Sequence, residues 1–386
     1  MFLLRLLLKN AFRHKLRTLL TMVGLIVAIS AYGLLNTIVD AWYANVDNTS
    51  NTRLITRSAI SVGAPLPLYY AEQIKKVDGV TGVTWVNWFG GIYVDRRNFF
   101  PRLAVDANSY FQLYPEFLLS DEERRDFMAD RQGCVIGRAT ADRFGWKVGD
   151  TIPISGTIFP GNWNFTIRGI YRGEDARTDE TMMFIHYKLV SESVRKRLGS
   201  GIANQVGIFM VGIKDPSQAS SVSQRVDAIF KNSVAETRTE TEKAFQLGII
   251  SMSQAILMAI RTVSFVVILI IMAVMANTMT MTARERLAEY ATLKALGFSP
   301  SFVVKLLFGE SLTIAVIGGA VGIACTYPLA AGFMAQTNNL FKVFEISNVT
   351  LMSQAGAALF VGLVAAAWPS WKMSRIDIVA GLRHVA

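Results

Sequence analysis

Four long apolar stretches constrain this chain more than any other feature, because roughly 20 predominantly apolar residues suffice to cross a bilayer as a helix. They fall at 18–39, 262–282, 303–334 and 351–371, the last with its apolar run ending at Trp368. The first stands alone, the other three crowd the last third, and the polar segment between them carries the alternating patterns and turn residues of a folded domain. The fold class expected is an α-helical membrane protein with four transmembrane helices, one before and three after a large α+β extracytoplasmic domain.

Charge predicts the sides. The chain carries a net +10, yet residues 40–261 hold 26 Lys and Arg against 24 Asp and Glu. The excess sits in three short segments: Arg5, Lys9, Arg13, Lys15 and Arg17 at the start; Arg284, Arg286, Lys294 and Lys305 around the second loop; Lys372, Arg375 and Arg383 at the end. Short loops rich in Lys and Arg remain cytoplasmic. Both termini and the loop at 283–302 are therefore expected in the cytoplasm, and the large domain outside a bacterial inner membrane, with a short outer loop at 335–350. A basic excess that hugs the membrane argues against nucleic acid as a partner and for the lipid bilayer.

Cys134 falls in the outer domain and Cys325 in the third span, so no disulfide framework is expected and the domain must fold on its apolar core. Residues 1–17 alternate Phe2, Leu3, Leu6, Leu7, Phe12 and Leu16 with Arg5, Lys9, Arg13 and Arg17, the pattern of an amphipathic helix lying in the cytoplasmic interface, with a tail at 372–386 on the same side.

Within 40–238 the pattern predicts a helix at Leu66–Val77, a strand at Val80–Trp88, a strand at Gly207–Ile213, a helix from Pro216 to about Lys231 and a strand at Ser233–Thr239. These form a base (40–92 and 205–238) interrupted by a lobe (93–204) with β-branched stretches at Gly133–Ile136, Thr151–Ile154, Asn164–Tyr171 and Thr181–Ile185, and a helix at Thr140–Gly145. Residues 239–261 grade from Glu240, Glu242 and Lys243 into an apolar pattern and predict a stalk helix continuous with the second span.

Bond-making chemistry has no foothold. There is no Gly-Lys dipeptide and hence no G-x-x-x-x-G-K-[ST] phosphate loop, no H-E-x-x-H and no G-x-S-x-G; His14, His186 and His384 are too scattered to share a metal. Adjacent acids at Asp121-Glu122-Glu123 read as a solvated helix start, and His186 as structural. No catalytic, cofactor or metal site is expected on this chain. The loop after the second span is more specific: Leu287, Tyr290, Leu293 and Leu296 share a helical stripe, charged residues flank it and Gly297 stops it. Such a helix can lie on the membrane surface or dock into a cytoplasmic partner.

This stretch resembles the coupling region of permeases in the MacB/FtsX/LolC–LolE superfamily of type VII ABC transporters. Arg284-Glu285-Arg286, Glu289, Ala291, Leu293 to Gly297 and Ser299 carry the likeness, one residue out of step in the first half. Glu310 with Gly318-Gly319-x-x-Gly322 resembles the family's third span. Ala367 to Trp371 with Asp377, Leu382 and Arg383 resembles its ending, where Ser370 and Ile378 depart from the pattern. In the outer domain, Gly133 to Ile152 and Phe165 to Ile170 resemble the MacB-like periplasmic run.

The resemblance implies a dimeric permease, homodimer or heterodimer, bound to a separate cytoplasmic ATPase that holds the ATP and magnesium, and passing nucleotide-driven movement to the outer domains. It implies Arg284, Glu285, Arg286, Glu289, Tyr290 and Leu293 as the docking surface. From the residues themselves, Glu310 is expected to pair with Lys305 or a basic loop residue. Gly318 and Gly322, four apart, are expected at a close helix approach within the chain or across a dimer. Three functions fit: efflux or secretion with a periplasmic adaptor and outer-membrane channel, lipoprotein or lipid extraction, and FtsX-like regulation of a cell-wall hydrolase.

Overall fold

The computed structural model describes residues 13–43, 50–175, 178–199, 203–337 and 344–375. In chain order these form α1 (Lys15–Tyr43), β1 (Arg53–Ser58), β2 (Leu66–Pro67), α2 (Tyr70–Ile74), β3 (Val80–Trp88), β4 (Arg102–Val105), α3 (Tyr110–Leu113), β5 (Phe117–Leu118) and α4 (Asp121–Ala129). Then come β6 (Gly133–Gly137), α5 (Arg138–Phe144), β7 (Thr151–Gly156), β8 (Gly161–Gly173), β9 (Met183–His186), α6 (Tyr187–Leu198), β10 (Gln205–Val206) and β11 (Ile208–Ile213). The chain closes with α7 (Ala219–Ile229), β12 (Thr237–Thr241), α8 (Glu242–Met252), α9 (Gln254–Glu285), α10 (Leu287–Ala295), α11 (Pro300–Gln336) and α12 (Asn348–Ser374). Two compact units result: residues 45–251, and residues 1–44 with 252–386.

One sheet runs through the first unit in the order β12-β1-β11-β3-β4-β9-β6-β8-β5, with β7 on β8. Base and lobe, separate on sequence pattern, therefore share a continuous sheet, joined where β3 of the base pairs β4 of the lobe antiparallel; within the lobe β4 pairs β9 in parallel. One face packs Leu54, Phe89, Phe100, Ile136, Phe165 and Phe209; the other packs Tyr110, Phe111, Phe117, Phe127, Tyr171 and Phe184. Opposite faces of a strand accept alternate side chains, so a sheet covered on both sides reads as nearly continuous apolar sequence.

Local chemistry explains several departures from the sequence pattern. The helix expected at Leu66–Val77 is confined to Tyr70–Ile74, because Leu66 and Pro67 pair instead with Val206 and Gln205. The strand expected at Ser233–Thr239 starts only at Thr237. It continues to Thr241, and its alternating threonines lie along β1, with the Thr56 and Thr239 hydroxyls 2.9 Å apart and Arg57 Nε donating to Glu240 at 2.9 Å.

The stalk helix expected over 239–261 is therefore strand to Thr241, then two helices, Glu242–Met252 and one from Gln254, broken at Ser253. At Ser120 a capping box forms: its hydroxyl accepts from the Glu123 amide while the Glu123 carboxylate accepts from Ser120 N–H. The acidic run is thus a helix start. Both cysteines are free.

In the second unit, α1, α9, α11 and α12 are each long and apolar enough to cross a membrane. Gly318 and Gly322 of α11 face α1 within the chain: a Cβ on Gly318 would stand 2.8 Å from Leu25 Cδ2, and one on Gly322 2.9 Å from Ile29 Cβ. Pro328 lies inside α11, which continues through it. Of the interfacial helix expected over 1–17, residues 1–12 lie outside the described residues, as do 338–343 of the outer loop and 376–386 of the tail, including Ile378.

Candidate functional site

The segment between α9 and α11 is built as a clamped element. After α9 ends at Glu285, one non-helical residue, Arg286, turns the chain into the nine-residue α10, and Gly297 at φ +90° turns it again toward α11. A positive φ there suits glycine because no Cβ opposes it. Tyr290 of α10 and Ala283 of α9 are buried against Val303, Leu306 and Leu307 of α11 and Met373 of α12, with Leu287 and Leu293 packed at the margin; Ala291 of α10 is buried as well.

Charge fastens the same segment to three other helices or their approaches. Arg286 is only 7% exposed. Its Nη1 donates to Glu310 Oε2 on α11 at 3.0 Å and its Nε to Glu289 Oε2 at 2.9 Å, while the guanidinium lies 5.3 Å from the Tyr290 ring centre. Glu289 also accepts from Arg13, just before α1. On α1 itself, Arg17 grips Glu285 with two hydrogen bonds of 2.8 and 2.7 Å, and His14 Nε2 stands 3.4 Å from the same carboxylate. At the other end of α10, Lys294 Nζ donates to the carbonyls of Ser374 at 2.8 Å and Met373 at 3.3 Å, closing the exposed C-terminus of α12.

Burial disfavours the charge on Glu289, but hydrogen bonds from Arg286 and Arg13 outweigh it and hold the carboxyl below its usual range. Burial raises the Tyr290 phenol, and its hydroxyl has no hydrogen-bond partner among the described residues. Removing one member of a buried charge pair costs about 3–5 kcal/mol, because the other is left desolvated and alone. The Arg286–Glu310 contact is thus a strong constraint on how α10 can move against α11.

The predicted docking residues divide. Arg284 and Glu285 are exposed at the end of α9; Glu289 and Leu293 are half-buried; Arg286 and Tyr290 are buried and present no outward surface. The outward face is instead Arg284, Glu285, Thr292, Leu296 (71% exposed) and Phe298 (45%). Glu310 pairs with a loop residue, Arg286, and not with Lys305. Sequence reasoning missed the roles of Arg13, Arg17 and Lys294. A signal existed for the first two: Arg13 and Arg17 are four apart, as are Glu285 and Glu289, so two helical ladders of opposite sign can face one another.

Other sequence candidates are structural. His186 Nε2 is 2.6 Å from the Phe127 carbonyl, and burial lowers the imidazole pKa. Among the described residues no group of three or more His, Cys, Asp or Glu could hold a metal.

Comparison with known proteins places this geometry. The family model described as MacB-like periplasmic core domain matches residues 18–229, over half the chain, and that described as FtsX-like permease C-terminal matches 261–378. An uncharacterized ABC transporter permease of Methanocaldococcus jannaschii is 22% identical, with 97% of this chain and 96% of that protein covered. A probable export ATP-binding/permease protein of Pseudomonas fluorescens is 24% identical over 96% of this chain and 58% of its own length. A macrolide export ATP-binding/permease protein of a Shewanella species is 20% identical, with 60% and 35% covered. With a MacB-like match running from the first of its four apolar helices into the sheet domain and an FtsX-like C-terminal match over the other three, this chain belongs to the family of MacB- and FtsX-like ABC transporter permeases.

Proposed function

We propose that this chain is the permease subunit through which a separate cytoplasmic ATPase drives movements of the MacB-like domain, for efflux or secretion of a substrate taken from the outer side. The observation that carries the reading is the fastening of α10. A segment that joins α9 and α11, is held to α11 by Arg286–Glu310, and is tied by Arg13–Glu289 and Arg17–Glu285 to α1 and its approach and by Lys294–Ser374 to α12, cannot be displaced alone. Force delivered to its exposed tip at Leu296 and Phe298 is passed to all four helices at once. The ATPase supplies ATP and magnesium, and two permease chains assemble around it, with both termini on the cytoplasmic side.

Four helices per chain leave little material for an aqueous pathway, which favours mechanical work over passage of a solute through the middle. The test is gentle purification of the tagged, membrane-embedded protein, with and without the pair Leu296→Asp and Phe298→Asp. An ATPase that accompanies the unsubstituted chain and is lost from the pair supports the docking surface. Recovery of no ATPase, with crosslinking at Arg284, overturns the coupling reading. An adaptor in the same preparation supports efflux or secretion, whereas a second permease or a cell-wall hydrolase replaces it with extraction or regulation.

A further inference from the structure

β3 is left with an open edge inside the first unit. It pairs β11 from Val80 to Val86 but pairs β4 only at Val86–Trp88. The Phe89 amide donates to Arg102 O at 2.9 Å, so by the antiparallel alternation the main-chain groups of Trp85 and Val83 also point to the β4 side. There they meet no strand. The chain leaves the sheet at Asp106, whose carboxylate accepts from Ser109 N–H and Oγ–H, and among the described residues no main-chain hydrogen bond joins Trp85 or Val83 to the departing segment.

Two cavities occupy the space so opened. One, of about 720 Å³, is lined by the consecutive residues Val80–Val83 and by Trp85, which is the lining an edge presents; a sheet face would offer alternate residues only. Its walls are Lys75, which follows α2 on one face of the sheet, and Ser109 and Gln112 of the α3 region on the other. The second, of about 550 Å³, continues it, sharing Trp85, Asp106 and Asn108. The indole N–H of Trp85, at the junction, has no hydrogen-bond partner among the described residues. Charge in the second cavity is uneven: of its two carboxylates, Glu192 is matched by Arg131 and Asp106 accepts from Ser109, while Lys188 and Arg195 meet no carboxylate among the described residues.

We propose that this edge is a strand-addition site for an extended peptide segment of a partner protein, with an acidic side chain of that peptide over Lys188 and Arg195. Main-chain groups of β3 supply register and affinity, the walls choose the alternate side chains, and a small turn of Trp85 gives its orphaned donor a peptide carbonyl. An uncovered edge is otherwise a template for unwanted pairing. The flanking walls admit one strand and exclude a second sheet. This site is independent of the coupling segment.

The test uses the full chain in nanodiscs and a displayed library of random twelve-residue peptides, with recovered peptides resynthesised for fluorescence anisotropy. Binding is expected to fall at least tenfold on Asn108→Trp, and equally on Gln112→Trp, both exposed residues whose bulk would close the groove. N-methylation of alternate peptide amides should abolish binding in one register and spare it in the other, since only one peptide edge pairs. Lys188→Glu should weaken acidic peptides severalfold. Recovery of no peptide, binding indifferent to both tryptophan variants, or equal response to the two methylation registers would overturn the proposal.

Discussion

The two units bury their interiors by different rules. The sheet domain fills its cores with rings: Phe89 stacks among Phe159, Trp163 and Phe165, and Tyr110 among Phe111, Tyr114, Phe117 and Phe184. In the helical unit the larger core, between α1, α9, α11 and α12, has no ring among its described buried members, which are Met, Leu, Ile, Val and Ala; the buried Tyr290 belongs to the smaller cluster under α10. The larger core's contacts are backbone approaches, with Gly318 and Gly322 against α1 and a Gly362 Cβ that would lie 2.5 Å from Ala315. Polar links cross it: Ser311 Oγ donates to Gly362 O at 2.6 Å, and Gln354 Nε2 donates to Ile29 O and Thr326 Oγ1, each at 2.8 Å. Water rewards the burial of apolar area, so the domain selects volume. Lipid does not, so a membrane bundle selects proximity and satisfied polar groups.

The largest test of this contrast is at Arg286 and Glu310, where, among the described residues, the bundle buries full charges. Arg286→Leu should destabilise the helical unit by about 3–5 kcal/mol, because Glu310 is left buried and unpaired; adding Glu310→Leu should recover most of the loss. Thermal unfolding of the four forms in one detergent closes the cycle, and a double variant as unstable as the worse single would show that the pair is not the constraint described. Next in size is a single methyl group. Gly322→Ala should cost about 1–3 kcal/mol by overpacking against Ile29, whereas Gly332→Ala, which meets nothing within 4 Å, should be neutral or slightly stabilising. Equal effects at the two glycines would break the proximity argument.

In the domain, Ser120→Ala should cost about 1 kcal/mol through loss of the capping box. Glu123 joins that box to β8, its Oε1 accepting from Ile170 N–H at 3.0 Å. Ser120→Asp, which keeps the acceptor, should restore most of the loss in the same unfolding measurement.

How much was legible follows from range. Val80–Trp88, Gly133–Gly137 and the Arg138–Phe144 helix stopped by Gly145 at φ +69° are written in nearest neighbours, and sequence reading finds them to within a few residues. The four apolar helices are equally plain. The strand that joins lobe to base, β4, is only four residues long, opens on the buried Arg102 and has its other neighbour, β9, some 80 residues on, so nothing local marks it and base and lobe read as separate. The segment between α9 and α11 shows the same limit. Its helix and stop were readable, but a stripe of Leu287, Tyr290 and Leu293 says only that one face is apolar, and whether that face meets a partner or the chain's own α11 depends on Val303 and Leu307. The charged side chains misled for a related reason: Arg286 looked like surface because its partner, Glu310, lies 24 residues on.

The smallest effect expected, and the most specific to the domain, comes from pH. His186 is buried beneath α4, with Phe127 O as its hydrogen-bond partner and the Phe127 ring 4.2 Å from its own. Burial lowers its pKa below 6.5, against the opposing pull of the Phe127 carbonyl, Asp130 and Asp106. The folded state therefore holds the neutral ring, while the unfolded chain binds a proton at its ordinary value. Stability from this group is fully present above about pH 6.5 and is lost as pH falls through the folded pKa. His186→Gln keeps a donor for Phe127 O and cannot titrate. Between pH 7.5 and 5 the unsubstituted chain should lose thermal stability relative to that variant, read by the fluorescence of Trp85, Trp88, Trp146 and Trp163, the domain's four tryptophans. Parallel curves would mean that the imidazole is protonated as readily in the folded domain as in the unfolded chain. The ring core around Phe127 would then be more open to water than its packing implies.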